Sequence, residues 1–204
     1  MRLAVEALAA ERGGRAVFSG LSFTAGAGTL LRVSGANGAG KTTLLRILAG
    51  LAAASDGSVV WRDGHHTVAA ATASCFAGHA NAMNDALTVQ ENLTYAAALA
   101  GCDVSAGAIE AALDAFAVKS LGGRRFGSLS QGQRKRSSLA RLSLDSQPGN
   151  RAWLLDEPFV ALDANTQTQL ADMIAAKLAA GGLVVYTSHQ SVPIDAAIMK
   201  EILL

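Results

Sequence analysis

Leu30-Leu31-Arg32-Val33-Ser34-Gly35-Ala36-Asn37-Gly38-Ala39-Gly40-Lys41-Thr42-Thr43 is the stretch that decides how this chain is read. Residues Gly35 to Thr42 match the pattern G-x-x-x-x-G-K-[ST] in full. The apolar run Leu30 to Val33 reads as a strand entering the loop, and TTLLRILAGL reads as a helix leaving it. Glycines let the backbone wrap a phosphate with its N–H groups, and the following helix points its positive end at the anion. Gly35, Ala36, Asn37, Gly38, Ala39, Gly40, Lys41, Thr42 and Thr43 are therefore the candidate phosphate-binding residues. Within them, Lys41 is placed to reach β- and γ-phosphates and the Thr42 hydroxyl to ligate Mg2+.

Outward from this loop, LAVEAL and AVFSGLSFT read as short strands between glycine turns, and SDGSVVWRDGHH as turn, strand and turn. From about Val89 to Leu144 the period becomes helical, in VQENLTYAAALAG, SAGAIEAALDAFAV and QGQRKRSSLARLSL. Ser105 has the residue type of an N-cap, without the usual Glu or Gln at the third helical position. Beyond Arg151 the pattern returns to strand, helix and strand in AWLLDEP, TQTQLADMIAAKLAAGG and LVVYTSH. Buried strands alternating with helices predict an α/β domain with a mainly parallel sheet. The helical middle is expected as a subdomain over 79–147, inserted between core segments 1–78 and 148–204 of a single domain.

The run Ala152-Trp153-Leu154-Leu155 ends in two carboxylates, Asp156 and Glu157. A strand that delivers an acid to the phosphate edge is the second half of a nucleotide site. Asp156 can hold Mg2+ through water, and Glu157 can polarise the attacking water as a general base. Taken alone, this is equally a strand whose acidic end sits in solvent. The complete phosphate loop in the same chain decides between the two.

Composition excludes other classes. Lys plus Arg number 17 and Asp plus Glu 16, a formal charge of +1, so the basic surplus of a dedicated nucleic-acid binder is missing. Half of the residues are hydrophobic, and a chain of 204 residues buries about 70% of its unfolded surface without disulfides or structural metal. Cys75 and Cys102 have no CxxC spacing and read as thiols in a reducing compartment. No secretory signal and no membrane-spanning apolar run stands out.

On these residues, and on three further motifs, the chain resembles the ABC ATPases. Leu129-Ser130-Gln131-Gly132-Gln133 resembles their LSGGQ signature, with Gln131 replacing the first central glycine. Ala161-Leu162-Asp163 resembles the D-loop, and His189 at the end of LVVYTSH resembles the switch histidine. All stand in the family's order. The resemblance implies a P-loop NTPase fold with an N-terminal antiparallel β part, ATP and Mg2+ as ligands, and catalytic roles for Glu157 and His189. Read physically, Ser130 and the amides of Gly132 and Gln133 lie at a helix N-terminus, which is an anion site. In ABC proteins the signature of one subunit closes over the γ-phosphate held by the other, so Ser130, Gln131, Gly132 and Gln133 are expected to act in trans, in an ATP-dependent head-to-tail dimer.

Two positions depart from the family. Its adenine-stacking aromatic should fall near Arg12, in AAERGGRAV; a guanidinium can stack on a base, and Arg12 is equally a solvated loop residue. Its Q-loop glutamine should fall at His79, which can contact the Mg2+-bound water or sense the γ-phosphate, or be a surface histidine. His65 and His66 read as surface residues of a hairpin turn. Arg134-Lys135-Arg136, with Arg141 further on, reads as a solvated helix face.

Within the superfamily the chain is similar to the ATP-binding subunits of haem-export complexes of cytochrome c maturation. The residues behind this are FSGLSFT, SGANGAGKTTLLRILAGL, the histidine at the Q-loop, LSQGQRKRSSLARL, AWLLDEPFVALD and GGLVVYTSHQ. That resemblance implies a stand-alone ATPase subunit, peripheral on the cytoplasmic face of a bacterial inner membrane. It also implies an integral permease partner, an indirect link to a haem chaperone and no nucleic-acid partner. The competing readings are another ABC exporter, a non-transport ABC ATPase acting on nucleic acid, and a small kinase or GTPase. The second lacks a coiled-coil insertion, and the third lacks an NKxD-type guanine reader.

Overall fold

The structure is a computed structural model that describes every residue except 79–80, 146–150 and 189–191. Its strands are β1 (Arg2–Arg12), β2 (Arg15–Ala25), β3 (Thr29–Ser34), β4 (Asp56–Asp63), β5 (His66–Val68), β6 (Ser74–Ala77), β7 (Ala152–Leu155), β8 (Val184–Thr187) and β9 (Ile198–Leu203). Its helices are α1 (Lys41–Leu48), α2 (Ala70–Ala73), α3 (Val89–Leu99), α4 (Ala106–Asp114), α5 (Gln131–Leu139) and α6 (Ala164–Ala179). Packing divides the chain into two units. One holds Met1–His79, Pro148–Pro158 and Ala171–Leu204; the other holds Ala80–Gln147 and Phe159–Leu170.

The first unit contains both sheets. β1 and β2 form a hairpin across Gly13-Gly14, extended by β4 and β5 into an antiparallel sheet of order β2-β1-β4-β5. The second sheet has the order β6-β7-β8-β3-β9, with every neighbouring pair parallel. The buried strands AWLL and VVYT carry no polar residue before Thr187 apart from the Tyr186 phenol, as expected where a parallel sheet is covered on both faces. Leu44, Leu45, Ile47 and Leu48 of α1 share one core with Leu3, Val5 and Leu8 of β1, Leu31 and Val33 of β3, and Val185 of β8. Trp61 of β4 is 2% exposed in that core and donates its indole N–H to the Leu48 carbonyl at 2.9 Å, so the last turn of α1 is capped from the antiparallel sheet. Truncation of Trp61 to alanine removes packing worth about 3–5 kcal/mol.

The second unit is helical. Val89 and Leu93 of α3, Ile109 and Leu113 of α4, and Leu139 of α5 are buried, together with Phe116, Phe126 and Leu142 from the connecting turns. Ser105 caps α4 by accepting the Ala108 N–H at 3.2 Å. α4 is shorter than the apolar pattern through Val118 suggests. Ala117 takes a left-handed φ of +52°, and the amides of Ala117 and Val118 turn back onto the carbonyls of Asp114 and Leu113. Likewise the helical pattern after Ser130 is α-helical only to Leu139 and continues as a 3-10 turn to Leu144.

Candidate functional site

The first unit brings the phosphate loop to the acidic end of β7. β3 ends at Ser34, the loop turns through residues 35–40, and α1 starts at Lys41. Gly40 has a φ of +101°, and a Cβ there would stand 2.4 Å from Val17 Cγ1 and 3.0 Å from Phe18 Cδ1. β2 therefore walls the loop so closely that only glycine fits. Lys41 is 7% exposed, and its ammonium donates to the carbonyls of Gly35 at 2.8 Å and Ala36 at 2.9 Å. The loop is thus curled around its own lysine, whose ammonium lies against the turn.

Asp156 stands one residue beyond β7 and is 2% exposed. Its amide donates to the Ala77 carbonyl at 2.8 Å, which continues the β6–β7 pairing by one residue. Its two carboxylate oxygens take different donors. Thr42 Oγ1 donates to Oδ2 at 2.8 Å, and Thr187 Oγ1 donates to Oδ1 at 2.8 Å. Buried carboxylate oxygens need such hydrogen-bond partners in place of water. Glu157 follows with a left-handed φ of +47° and is half-buried; its amide donates to Thr187 Oγ1 at 2.8 Å. Thr187 was not expected from the sequence. The signal that could have found it is the parallel pairing of AWLL with VVYT, in which Leu155 faces Tyr186 and the next residues are Asp156 and Thr187.

Arg12 closes β1, is exposed, and faces Arg15 across the hairpin. His65 and His66 are exposed at the β4–β5 turn. His79 and His189 lie outside the described residues.

The second unit holds the signature and the D-loop. Ser130 caps α5: its Oγ accepts the Gln133 N–H at 3.3 Å, and its own amide donates to Gln133 Oε1 at 3.0 Å. This capping box engages both side chains and leaves the first-turn amides of Gln131 and Gly132 at the positive end of the helix. A Cβ on Gly132 would lie 3.7 Å from the Ala161 carbonyl, so the signature and the D-loop approach each other within this unit. Asp163 precedes α6 and accepts from the Thr166 amide and hydroxyl, each at 2.8 Å; those bonds, the amide first, hold its carboxyl below the usual value.

The expectation of a solvated face at Arg134-Lys135-Arg136 is corrected by the structure. Lys135 is 9% exposed. Arg134 donates to the Gly127 carbonyl and, at 3.1 Å, to the Leu129 carbonyl. Its guanidinium also lies 5.5 Å from the Phe126 ring centre and 3.6 Å from Asp85. Arg134 is occupied in holding the segment that precedes α5, because a guanidinium offers several donors in one fork.

The family profile described as ABC transporter matches residues 18–160. The chain belongs to the ABC transporter family. ATP binding and hydrolysis are the activity of this ABC ATPase domain. It is 42% identical over 198 residues to the cytochrome c biogenesis ATP-binding export protein CcmA of Albidiferax ferrireducens, covering 95% of this chain and 92% of that protein. It is 40% identical over 201 residues to the protein of the same name from Mesorhizobium japonicum, covering 98% of each. An ABC transporter ATP-binding protein from Pyrococcus furiosus superposes with a TM-score of 0.80 at 23% identity, covering 98% of this chain and 97% of that one. A bacterial Atm1-family ABC exporter with ATP bound gives a TM-score of 0.75 at 21% identity, over 93% of this chain and 34% of that one. The two solved structures establish the ABC ATPase fold. Among the described residues, no helix is long and apolar enough to cross a membrane.

Proposed function

We propose that this ABC ATPase is the ATP-hydrolysing subunit of the membrane complex that exports haem, or frees it from a haem chaperone, in cytochrome c maturation. The identity of 40–42% across nearly the whole chain to cytochrome c biogenesis export proteins supports the choice of complex. The observation that carries the ATPase chemistry is the bond from the Thr42 hydroxyl to the Asp156 carboxylate, which joins the phosphate loop to the acidic strand.

A hydroxyl and a carboxylate are the hard oxygen donors that Mg2+ prefers, and Mg2+ is ordinarily held by one or two protein oxygens plus the substrate's phosphates. Thr42 and Asp156 are the residues that would hold it. The chemistry a Mg2+ held there would supply is neutralisation of charge on the phosphates of ATP.

The chain's own residues do the rest. Amides from Gly35 to Thr43, at the start of α1, bind the phosphates of ATP, and the Lys41 ammonium adds a positive charge to them. Glu157 accepts a proton from the attacking water at its carboxylate. His189 and His79 attend the γ-phosphate, and Arg12 stacks on the adenine. Ser130, Gln131, Gly132 and Gln133 close over the γ-phosphate of a second copy, with Asp163 of the D-loop beside them, in a head-to-tail dimer loaded with ATP. Catalysis is positioning and charge stabilisation. The core is drawn from 1–78 and 148–204 and the helical subdomain from 79–147, with Phe159–Leu170 packing in the helical unit. The subunit sits on the cytoplasmic face of the inner membrane, against an integral permease, and takes no nucleic acid.

The test is a mild-detergent pull-down of the tagged chain from its native membranes, with mass spectrometry of its companions. A haem-handling permease and a haem chaperone support the assignment. An unrelated permease removes haem and leaves the transporter ATPase. Nucleic acid or soluble partners alone overturn the transport reading.

A further inference from the structure

Thr187 ends β8 with no exposed surface, and its one hydroxyl serves two consecutive residues of the acidic strand. A hydroxyl has one proton and two lone pairs. The proton goes to Asp156 Oδ1 and a lone pair takes the Glu157 amide, both at 2.8 Å. The arrangement is directional. The other oxygen of Asp156 is held by Thr42, so the two threonines together define the plane of the carboxylate. Glu157 has a φ of +47°, a region that L-residues avoid unless their surroundings hold them there. The bond to its amide is a holding contact of that kind, and it fixes the direction in which the Glu157 side chain leaves the strand.

We propose that Thr187 is a positioning residue for ATP hydrolysis, its hydroxyl setting at once the carboxylate plane of Asp156 and the backbone of Glu157. The inference rests on the reading of Asp156 as the Mg2+-holding acid and Glu157 as the base. It gives β8, the strand between the phosphate loop's strand and the acidic strand, a part in the chemistry beyond its packing.

The test uses the full chain in three forms. Thr187→Val keeps the side-chain shape and loses the hydroxyl. Thr187→Ser keeps the hydroxyl and loses a methyl group. Glu157→Gln reports on the base independently. Each is measured for kcat, for KM of ATP, for the ratio of ATP affinities with and without Mg2+ by calorimetry, and for thermal unfolding. For Thr187→Val, kcat is expected to fall about 10- to 100-fold, as when a residue orienting a metal ligand is lost. The Mg2+-dependent gain in ATP affinity should shrink about 10-fold, while affinity without Mg2+ holds. Thr187→Ser should stay close to the parent in both.

A packing role predicts the reverse order, with serine the worse because it opens a cavity in a fully buried site. Thr187→Val with the parent's kcat and Mg2+ response overturns the proposal, as does Thr187→Ser as impaired as Thr187→Val. Should the valine variant unfold, the pair Thr187→Ala and Thr187→Ser, which differ by the hydroxyl alone, separates the two roles in the same way. Glu157→Gln that still turns over ATP sinks the base assignment, while the Mg2+ ratio continues to judge Thr187 through Asp156.

Discussion

Thr42 and Asp156 meet at 2.8 Å although 114 positions separate them in the chain. The parallel sheet makes this possible, because β3 and β7 run in the same direction with β8 between them and end at the same edge. Asp156 is 2% exposed, so each bond to its carboxylate replaces solvent. A hydrogen bond to a charged group contributes about 1.5–3 kcal/mol. Thr42→Val should therefore lower the stability of the nucleotide-free chain by that order and reduce ATP turnover as well. Denaturant unfolding measures the first. An unchanged midpoint would mean that the bond contributes nothing to the fold and that Asp156 finds another donor.

Glu157→Gln separates binding from chemistry. The amide is isosteric and accepts no proton at neutral pH. General-base catalysis is worth about 10²–10⁴ in rate, so turnover should fall by that range while ATP affinity stays at the parent value. Phosphate release and nucleotide titration together decide it. A residual rate within a few-fold of the parent would move the base elsewhere.

Gly40 carries both strain and contact. Its φ of +101° disfavours any side chain, and a Cβ would press on Val17 Cγ1 at 2.4 Å. Gly38 has a φ of +84° and open space around it. Gly38→Ala should cost only backbone strain, about 1–3 kcal/mol, and Gly40→Ala should cost more because overpacking adds to it. In a double-mutant cycle, Val17→Ala should return part of the Gly40→Ala loss. Equal effects at Gly38 and Gly40, with no coupling to Val17, would show that the β2 wall is unimportant.

The sequence revealed most where a local rule and a long-range constraint coincide. A phosphate loop needs a strand before it and a helix after it, and the chain supplies both at Thr29–Ser34 and Lys41–Leu48. The buried strands AWLL and VVYT were legible because continuous apolar runs mark a covered parallel sheet. The elements left unread are short or charged. Ser74–Ala77 is four residues, His66–Val68 three, and Ile198–Leu203 carries Lys200 and Glu201 in its middle. None of the three shows the strict alternation or the bounded apolar run of the strands that were legible. Thr187 was missed for a different reason: its role depends on which residue of the neighbouring strand lies beside it, and register is a property of the sheet.

Arg134 is predicted to hold the segment that precedes α5. It donates to the carbonyls of Gly127 and Leu129 and lies over Phe126, whereas its ion pair with Asp85 is at a 67% exposed carboxylate. Carbonyls that lose a half-buried donor cost about 1–3 kcal/mol, and an exposed ion pair contributes about 0–1 kcal/mol. Arg134→Ala should therefore destabilise markedly and Asp85→Ala little. Arg134→Lys should fail to restore the loss, because an ammonium cannot bridge two carbonyls and stack on a ring as a planar fork does. Thermal unfolding of the three variants decides; a lysine variant as stable as the parent would show that charge alone suffices.

The start of α3 should respond to acid. The Thr88 amide and hydroxyl donate to Glu91 Oε2 at 2.7 and 2.8 Å, and the Glu91 amide donates back to Thr88 Oγ1 at 3.2 Å. The bond from the Thr88 amide, then the one from its hydroxyl, holds the Glu91 carboxyl below its ordinary value of 4.5. The sign follows from linkage. A carboxyl whose folded pKa is depressed binds its proton more weakly when folded, so its contribution is fully present above 4.5 and is lost as pH falls through the lower folded value. Glu91→Gln keeps the capping geometry and removes the titration. The parent should be the more stable of the two at neutral pH, and the gap between their unfolding temperatures should close as pH drops through that window. A gap that stays constant with pH would mean that the capping bond contributes equally in both protonation states and that Glu91 takes no part in the acid limb.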